Sequence, residues 1–381
     1  MLVLVLHMPT LVPVLCHPPS GHVIHNSSTV ISKRALHEIY IVLGTVFYGI
    51  SIVFAKEAMN INMGPNSFNA LQYVVGAVFL LATRKRLKRY VNGDKGVSYT
   101  TAPMSPKLRV IQSYLPEFIR THSQCELLML GVMCAIPGFL ASALNQFGLC
   151  SIDAGKSAFL SSLYVVITPL IQYVLQGSNA NLTIHTWYSA VVCLIGTYLL
   201  SGASFDSIGT GEIVTVFGSF LISLEILLND YSIERVDCID LTCVQMCTSM
   251  TLCILVSIVL EPDGMYNVLM FTSTSLGPVP SKDLVFWSLV LVVGGGIFEA
   301  MAFQLHVVGQ MHATGSRAAL LFGLEAVVTG IGAYFFLGEI LSNIELVGCT
   351  MILVSTLIVT AINEADEDNV PPERDVKPLM A

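Results

Sequence analysis

Charged residues are scarce in this chain. They make up 12% of its 381 residues, whereas hydrophobic residues make up 54%, and the mean hydropathy is +0.73. A soluble globular domain typically carries about 25% charged residues, and a soluble chain of this size could not bury so much apolar surface. The composition therefore excludes an ordinary soluble protein and predicts that membrane lipid surrounds most of the chain.

The chain also lacks the motifs of several function classes. It has no H-E-x-x-H sequence, no pair of aspartates inside its apolar segments and no serine beside a plausible base. The net charge is −8 and no basic surface for nucleic acid is present. Most of the ten cysteines lie in apolar segments, where they behave as small hydrophobic residues. We therefore expect a protein that is not an enzyme and that has no metal site, cofactor or nucleic-acid partner.

Long apolar segments are what the chain does contain. A membrane span needs about 20 such residues to cross about 30 Å of hydrocarbon. Ten segments qualify, near 38–58, 67–83, 125–146, 155–175, 185–203, 211–230, 240–260, 284–306, 315–337 and 344–363. Residues 1–16 are apolar too, but they are short and interrupted by Pro9 and Pro13, so we predict neither a span nor a signal peptide there. A role of this segment in targeting stays open.

The basic residues predict the orientation of these spans. With a cytoplasmic N-terminus, fifteen of the eighteen Lys and Arg residues fall on the cytoplasmic side, and only Lys56, Lys156 and Lys282 fall outside. Cytoplasmic loops of membrane proteins carry an excess of Lys and Arg. Ten spans then place both termini in the cytoplasm.

One segment of the sequence occurs twice. Residues 156–177 read KSAFLSSLYVVITPLIQYVLQG, and residues 317–338 read RAALLFGLEAVVTGIGAYFFLG. Laid over each other without a gap, the two copies share seven identical positions, which in the first copy are Ala158, Leu160, Leu163, Val166, Thr168, Tyr173 and Gly177. Ten spans thus divide into two groups of five. Because five is odd, the second group must be inverted relative to the first, as in many secondary transporters.

The repeat predicts an all-α integral membrane protein with ten transmembrane helices as two inverted five-helix repeats. We predict a cytoplasmic tail over residues 1–36, a first repeat over 37–203 with a basic cytoplasmic loop at about 84–122, and a second repeat over 210–363. Residues 364–381 are predicted to form an acidic, disordered cytoplasmic tail, since Glu364-Ala-Asp-Glu-Asp opens it.

Two groups of residues resemble the EamA-type families of the drug/metabolite transporter superfamily. In the first repeat they are LNQFGL at 144–149, AGKSAFL at 154–160 and Pro169; in the second they are RAALL at 317–321, Leu324-Glu325 and LGE at 337–339. The resemblance implies ten helices, inverted repeats and transport of a small metabolite by alternating access. One departure is Ala326, where the family usually has proline. Because proline inside a helix kinks it, we predict a straighter ninth span.

Three carboxylates lie inside predicted spans, namely Glu225, Glu299 and Glu325. Charged side chains at the bilayer centre are costly and normally face the bundle interior, so each of the three is a candidate for proton coupling. Each of the three also has a structural interpretation, which stays open. Glu325 would stabilise packing between helices, Glu299 would pair with a neighbouring donor, and Glu225 would lie in water near the cytoplasmic end.

Lys156 and Arg317 open the two copies of the repeated segment. Each is a candidate vestibule charge that attracts an anionic substrate. The alternative is a snorkelling side chain that anchors the end of its helix.

Uncharged polar residues inside the spans are candidates for substrate binding. Gln72 and Gln245 occupy equivalent positions in the second and seventh spans, which favours them. The other candidates are Asn69, Gln146 and Tyr164. The alternative for each is a hydrogen bond between helices, worth about 1 kcal/mol.

The sequence therefore predicts a secondary transporter of a small-molecule substrate, with a proton as a candidate coupling ion. A channel usually needs an oligomeric pore with a selectivity filter, and fold alone does not exclude a receptor or assembly protein on the same scaffold. The substrate, the direction of transport, the membrane and the oligomeric state, including a homodimer, stay open.

Overall fold

The structure is a computed structural model that describes residues 33–61, 63–92, 122–149, 152, 154–176, 182, 184–201, 209–261, 282–337 and 342–367. These residues form twelve α-helices and no strands. In chain order the helices are α1 (Lys33–Asn60), α2 (Pro65–Asn92), α3 (His122–Leu149), α4 (Ala154–Ser161), α5 (Tyr164–Gln176), α6 (Ile184–Ser201), α7 (Thr210–Ile233), α8 (Cys238–Leu260), α9 (Lys282–Gln310), α10 (Gly315–Phe322), α11 (Glu325–Leu337) and α12 (Asn343–Glu367).

A helix lies over every predicted span, but the helices differ in how clearly they qualify as membrane-spanning. By length and apolar composition, five are long enough to cross a membrane: Leu36–Met59, Ser123–Gly148, Thr210–Ile233, Cys238–Leu260 and Phe286–Gln310. Others fall short for physical reasons. Helix α2 ends in a basic cluster, and α4 and α10 have only eight residues each, which is about 12 Å of helix.

The fourth and ninth predicted spans are each broken into two helices at equivalent positions. When the repeat alignment is applied, α4 corresponds to α10 and α5 to α11, residue for residue. At each break the backbone makes an i→i−3 bond: Leu163 N–H donates to Leu160 O (3.4 Å) and Leu324 N–H to Leu321 O (3.2 Å). Such tight turns interrupt the regular α-helical ladder.

The prediction of a straighter ninth span was therefore wrong. The interruption precedes residue 326, so it forms without a proline there. Gly323 favours the interruption, because glycine has low helix propensity. It also lies so close to α6 that a Cβ atom at this position would be 2.8 Å from Cys193 Sγ.

Helices of the two repeats interleave. Helix α1 packs along α9 and α11, and α2 packs on α9; in the equivalent arrangement α7 packs along α3 and α5, and α8 packs on α3. We call α1, α2, α9 and α11 the first bundle, and α3, α4, α5, α7 and α8 the second bundle; α10 packs on α1 and also on α5 and α7, so it lies between the two bundles. Each bundle thus takes helices from both repeats.

Helix α2 pairs with α8 across the two bundles, and polar contacts join the two helices at both ends. At one end Asp240 accepts a hydrogen bond from Arg84 Nε (2.7 Å) and from Lys88 Nζ (2.5 Å). Arg84 and Lys88 belong to the basic cluster that we predicted to be loop. The helix continues through this cluster to Asn92, because the Asp240 carboxylate and the end of the helix dipole both favour cations there.

At the opposite end of the same helix pair, Glu261 accepts four hydrogen bonds from the first turn of α2. The donors are Asn66 N (3.1 Å), Asn66 Nδ2 (2.7 Å), Ser67 N (2.9 Å) and Ser67 Oγ (2.9 Å). Ser67 Oγ also lies 3.1 Å from Ser257 Oγ. With Gln72 matched to Gln245, the equivalent positions are Ser67 and Asp240, Arg84 and Ser257, and Lys88 and Glu261. The same positions therefore meet at both ends, as a two-fold axis in the membrane plane requires.

Helices α6 and α12 form the other pair between repeats. A Cβ atom on Gly196 would lie 2.8 Å from Gly348 O. Small residues allow such close backbone contact between helices in lipid. Helix α12 continues to Glu367, so the first four residues of the predicted disordered tail are helical. Residues 368–381 lie outside the described part, as do residues 1–32 of the N-terminal tail.

We expect the Glu261→Ala variant to unfold at a lower temperature than the parent. The substitution leaves the first turn of α2 without its acceptor, and an unsatisfied buried donor costs about 1–3 kcal/mol. Thermal unfolding in detergent measures the effect. Glu234→Ala, which removes an exposed glutamate, is the control and should leave the midpoint unchanged.

Candidate functional site

Three carboxylates lie inside the helical assembly and face a common region. Glu225 lies on α7, Glu299 on α9, and Glu325 is the first residue of α11. Glu299 is close enough to interact electrostatically with both of the others. None of the three forms an ion pair with any described residue, and each retains partial exposure to a water-sized probe. No described cation would therefore neutralise these three groups when they ionise.

Hydrogen bonds from the first two helices hold Glu299. Gln72 Nε2 donates to Glu299 Oε2 (3.4 Å) and to Ser51 Oγ (2.7 Å). Ser51 Oγ in turn donates to Gly295 O (3.4 Å), one turn before Glu299. This network gives the carboxyl group a donor from α2 and links α1, α2 and α9 beside it.

Glu225 occupies space that a glycine provides. A Cβ atom on Gly138 of α3 would lie 2.5 Å from the Glu225 carboxyl carbon. If the repeat alignment is extended back along α3 and α9 without a gap, Gly138 is the equivalent of Glu299. The second repeat thus has an acid, Glu299, at this position. The first repeat has Gly138 there, and the space that the missing side chain leaves is occupied by Glu225 of α7.

Three tyrosines lie near enough to the carboxylates to interact with them electrostatically. Tyr48 of α1 interacts electrostatically with all three acids, Tyr73 of α2 with Glu299 and Glu225, and Tyr164, the first residue of α5, with Glu325. Tyr164 and Glu325 are equivalent in the repeat alignment, so both helix breaks place a polar group here. We call these six residues, Tyr48, Tyr73, Tyr164, Glu225, Glu299 and Glu325, the acid–tyrosine centre. It takes residues from both bundles.

A histidine lies next to this centre. His306 Nε2 is 3.3 Å from Thr45 Oγ1, and the imidazole ring lies 4.2 Å from the Phe322 ring and 6.2 Å from the Tyr48 ring, measured between centroids. Our sequence analysis missed His306. The signal was available, because an ionisable side chain inside a membrane segment is a functional candidate by default. Tyr48 and Tyr73 gave no comparable signal.

The structure separates the predicted binding residues into two sets. Gln72 and Tyr164 reach the acid–tyrosine centre, whereas Gln245, Asn69 and Gln146 make other contacts. Gln245 is fully buried and its Nε2 donates to Asn229 Oδ1 of α7 (2.7 Å). Asn69 lines a small cleft between α2, α3 and α8, and Gln146 Oε1 is buried on α3 without a described hydrogen-bond partner.

Arg317 differs from both of its predicted roles. It is 5% exposed and forms an ion pair with Glu38 of α1, which is itself 8% exposed. A buried, paired guanidinium is neither an open vestibule charge nor a snorkelling anchor. The side chain of Lys156, its equivalent in the first repeat, lies outside the described part.

The two symmetry-related glutamines allow a direct comparison. We expect Gln245→Ala to lower the thermal unfolding midpoint, because it removes a buried interhelical hydrogen bond worth about 1 kcal/mol and leaves Asn229 without its donor. Gln72→Ala removes a comparable buried hydrogen bond to Ser51 Oγ, so we expect a similar fall in the midpoint, and in addition weaker transport because the variant releases Glu299. Thr251→Ala, on the exposed face of α8, is the control for both. Equal loss of transport in the two glutamine variants would contradict this division.

The carboxyl and hydroxyl groups of the centre are chemically able to exchange protons and hydrogen bonds. A carboxyl group without a cationic partner is favoured in its neutral form when dry and in its ionised form when hydrated. Tyrosine hydroxyl groups donate and accept hydrogen bonds beside it. No group of three or more His, Cys, Asp or Glu side chains in the described residues is arranged to hold a metal ion.

Comparison with known proteins decides the family. The profile of the EamA-like transporter family matches residues 35–202 and again residues 209–361. The chain belongs to the EamA-like transporter family. The match covers both repeats and confirms the resemblance read from the sequence motifs. This EamA-like protein is therefore an integral, multi-pass membrane protein of the drug/metabolite transporter type.

Two further similarities agree with the family. The chain is 24% identical over 231 residues to an uncharacterized transporter of Archaeoglobus fulgidus, covering 60% of this chain and 68% of that protein. A solved crystal structure superposes with a TM-score of 0.57 at 14% identity, covering 84% of this chain and 98% of the other. At that identity the superposition supports the fold alone.

Proposed function

We propose that this EamA-like protein is a secondary transporter that moves a small metabolite across its membrane by alternating access. Ten transmembrane spans, the fourth and ninth each formed by two half-helices, enclose one central binding region. The acid–tyrosine centre is that region. The two bundles rock about it and open it to one side of the membrane at a time.

The observation that carries this proposal is the position of the centre. Its six residues come from both bundles, and two of them, Tyr164 and Glu325, begin the second half-helix at the two helix breaks. Discontinuous helices at the interface of inverted repeats form substrate and coupling-ion sites in many secondary transporters. The family membership supports transport in general.

The proposal includes proton coupling, and the acids without an ion-pair partner among the described residues support it. A carboxyl group that alternates between a dry space and water changes its preferred protonation state, so movement of the bundles can load and release a proton. Glu325 is the first candidate because it sits at the break, with Glu299 and Glu225 next.

The proposal includes an orientation with both termini in the cytoplasm. The repeats extend over residues 37–203 and 210–363, and the basic segment of about 84–122 is cytoplasmic. A cysteine introduced at Asp263 should react with a membrane-impermeant maleimide added outside intact cells, whereas one introduced at Lys95 should react only after permeabilisation. The reverse pattern would contradict the orientation.

A metabolite screen followed by reconstitution tests the function. Cells that lack the protein and cells that overproduce it are compared for uptake and release of a metabolite library, and each hit is repeated as flux into proteoliposomes. We expect saturable flux of one small metabolite, and no ion current. A conductance would indicate a channel, a chemically altered product would indicate an enzyme, and binding without flux would indicate a receptor.

A further inference from the structure

The first turn of α10 makes polar contacts to three other helices. Arg317 forms its buried ion pair with Glu38 of α1. Ser316 Oγ donates a hydrogen bond to Gln172 Oε1 of α5, and Gly315 N–H donates to Asp230 Oδ2 of α7 (3.2 Å). Helix α1 belongs to the first bundle, and α5 and α7 belong to the second. This one turn therefore ties the two bundles together.

All of these contacts lie at one end of the helical assembly. Glu38 is in the second turn of α1, whereas Asp230 and Gln172 are in the closing turns of α7 and α5. The contacts are also enclosed, since Glu38, Gln172, Ser316 and Arg317 are all buried. Helix α10 is separated from α11, which carries Glu325, by the break at Gly323 and Leu324. Its first turn can therefore change position without breaking the α-helical ladder of α11.

The ion pair between Arg317 and Glu38 is a contact that can open. Arg317 Nε and Nη1 have no hydrogen-bond partner among the described residues. A buried ion pair adds little net stability unless its remaining donors are satisfied, because both charges lose their hydration. When this end opens to water, both charged groups become hydrated, and the favourable free energy of hydration offsets the loss of the ion pair. A fully satisfied pair would instead hold the end closed permanently.

The repeat-related positions at the opposite end cannot make two of these contacts, the hydrogen bond between Ser316 and Gln172 and the ion pair between Arg317 and Glu38. Extending the two repeat alignments relates Ser316 to Gly155, Gln172 to Ala333 and Glu38 to Gly211. Ser316, Gln172 and Glu38 thus correspond to residues whose side chains have no hydrogen-bonding group. Arg317 and Asp230 instead correspond to Lys156 and Glu57, which are polar. In an inverted-repeat protein the two ends exchange roles between the two conformations. Contacts that only one end can make must render the two conformations unequal in free energy.

We propose that residues Gly315, Ser316 and Arg317 with Glu38, Gln172 and Asp230 form a latch that holds the Arg317 end closed and favours the conformation open at the other end. The latch rests on the proposed alternating access. On the predicted topology it closes the cytoplasmic side at rest. Substrate transport then requires the latch to open once in each cycle.

The test replaces latch residues with their repeat-related counterparts. Ser316→Gly with Gln172→Ala removes the hydrogen bond between α10 and α5 without adding bulk or charge. Leu227→Cys on α7 is the reporter, because a Leu227 methyl carbon would lie 3.0 Å from a Cβ atom on Gly315. Its reaction with a hydrophilic maleimide is followed by peptide mass spectrometry in lipid nanodiscs, where native cysteines are scored separately.

We expect the double substitution to raise the labelling rate of the reporter roughly fivefold, the effect of one interhelical hydrogen bond on a two-state equilibrium. Thr251→Ala is the control and should not change the rate. An unchanged or slower rate in a protein with the parent's unfolding temperature would overturn the latch.

A charge exchange provides a second, independent variant. Glu38→Gln should also raise the labelling rate, and Glu38→Arg combined with Arg317→Glu should return it toward that of the parent. If the exchanged pair labels as fast as Glu38→Gln, the ion pair is no part of a latch. Labelling needs no substrate, so failure of the latch is distinct from failure of transport, which appears as absence of flux in the parent protein.

Discussion

The Glu325→Gln variant should lose the ability to concentrate substrate while it still exchanges substrate down a gradient. The amide keeps the size and the hydrogen bonding of the protonated acid but cannot release a proton. Because Glu325 begins α11 at the helix break and forms no ion pair with a described residue, we expect it to carry the coupled proton. Accumulation driven by a pH gradient should fall to simple equilibration in proteoliposomes.

The matched control for this experiment is Glu234→Gln, which neutralises an exposed glutamate outside the centre. It should leave accumulation intact. If Glu325→Gln concentrates substrate with unchanged pH dependence, Glu325 is structural, and Glu299 and Glu225 become the candidates for coupling. Exchange at the parent rate in the Gln variant separates loss of coupling from loss of folding.

We expect Glu299→Gln to have a different and broader effect. Glu299 interacts with both other acids, and the Gln72 and Ser51 network contacts it. A carboxylate that accepts a hydrogen bond from Gln72 and interacts with both other acids is suited to contact substrate directly, so exchange and accumulation should both fall by at least about tenfold, equivalent to about 1.4 kcal/mol of binding.

Substrate exchange in proteoliposomes measures this effect, with thermal unfolding as the check on folding. Gln72→Ala should show a smaller loss of the same kind, because it loosens Glu299 without neutralising it. Exchange at the parent rate in Glu299→Gln would assign Glu299 to coupling or packing and remove it from the substrate site.

The repeated segment and the scarcity of charge made much of the architecture predictable. Duplication of one apolar segment predicted two repeats, and the family match bears this out. The helix breaks were not predictable from periodicity, which cannot resolve a single tight turn inside a long apolar segment, although Gly323 is a residue of low helix propensity at one of them.

The candidate site was predictable where the residue type is rare inside membranes. Glu225, Glu299 and Glu325 stood out because intramembrane acids are rare and costly, and the structure brings them together. Tyr48 and Tyr73 did not stand out, since only the packing of α1 and α2 against α9 places them there.

Sequence symmetry was misleading for the glutamines. Gln72 and Gln245 are equivalent in the alignment, yet Gln72 reaches Glu299 whereas Gln245 donates to Asn229. The reason is chemical asymmetry, because Gly138 stands where the second repeat has Glu299. The partner of Arg317 was equally hidden, since Glu38 belongs to the other repeat and only tertiary structure brings the two together.

Two-sided access to the acid–tyrosine centre tests alternating access most directly. Tyr48→Cys is labelled with a membrane-impermeant maleimide in sealed right-side-out vesicles and in inside-out vesicles, and peptide mass spectrometry scores that residue alone. We expect labelling from each side, with no ion conductance across the same membrane. Labelling from one side only, or from neither, would contradict a transporter whose two bundles open this centre to each side in turn.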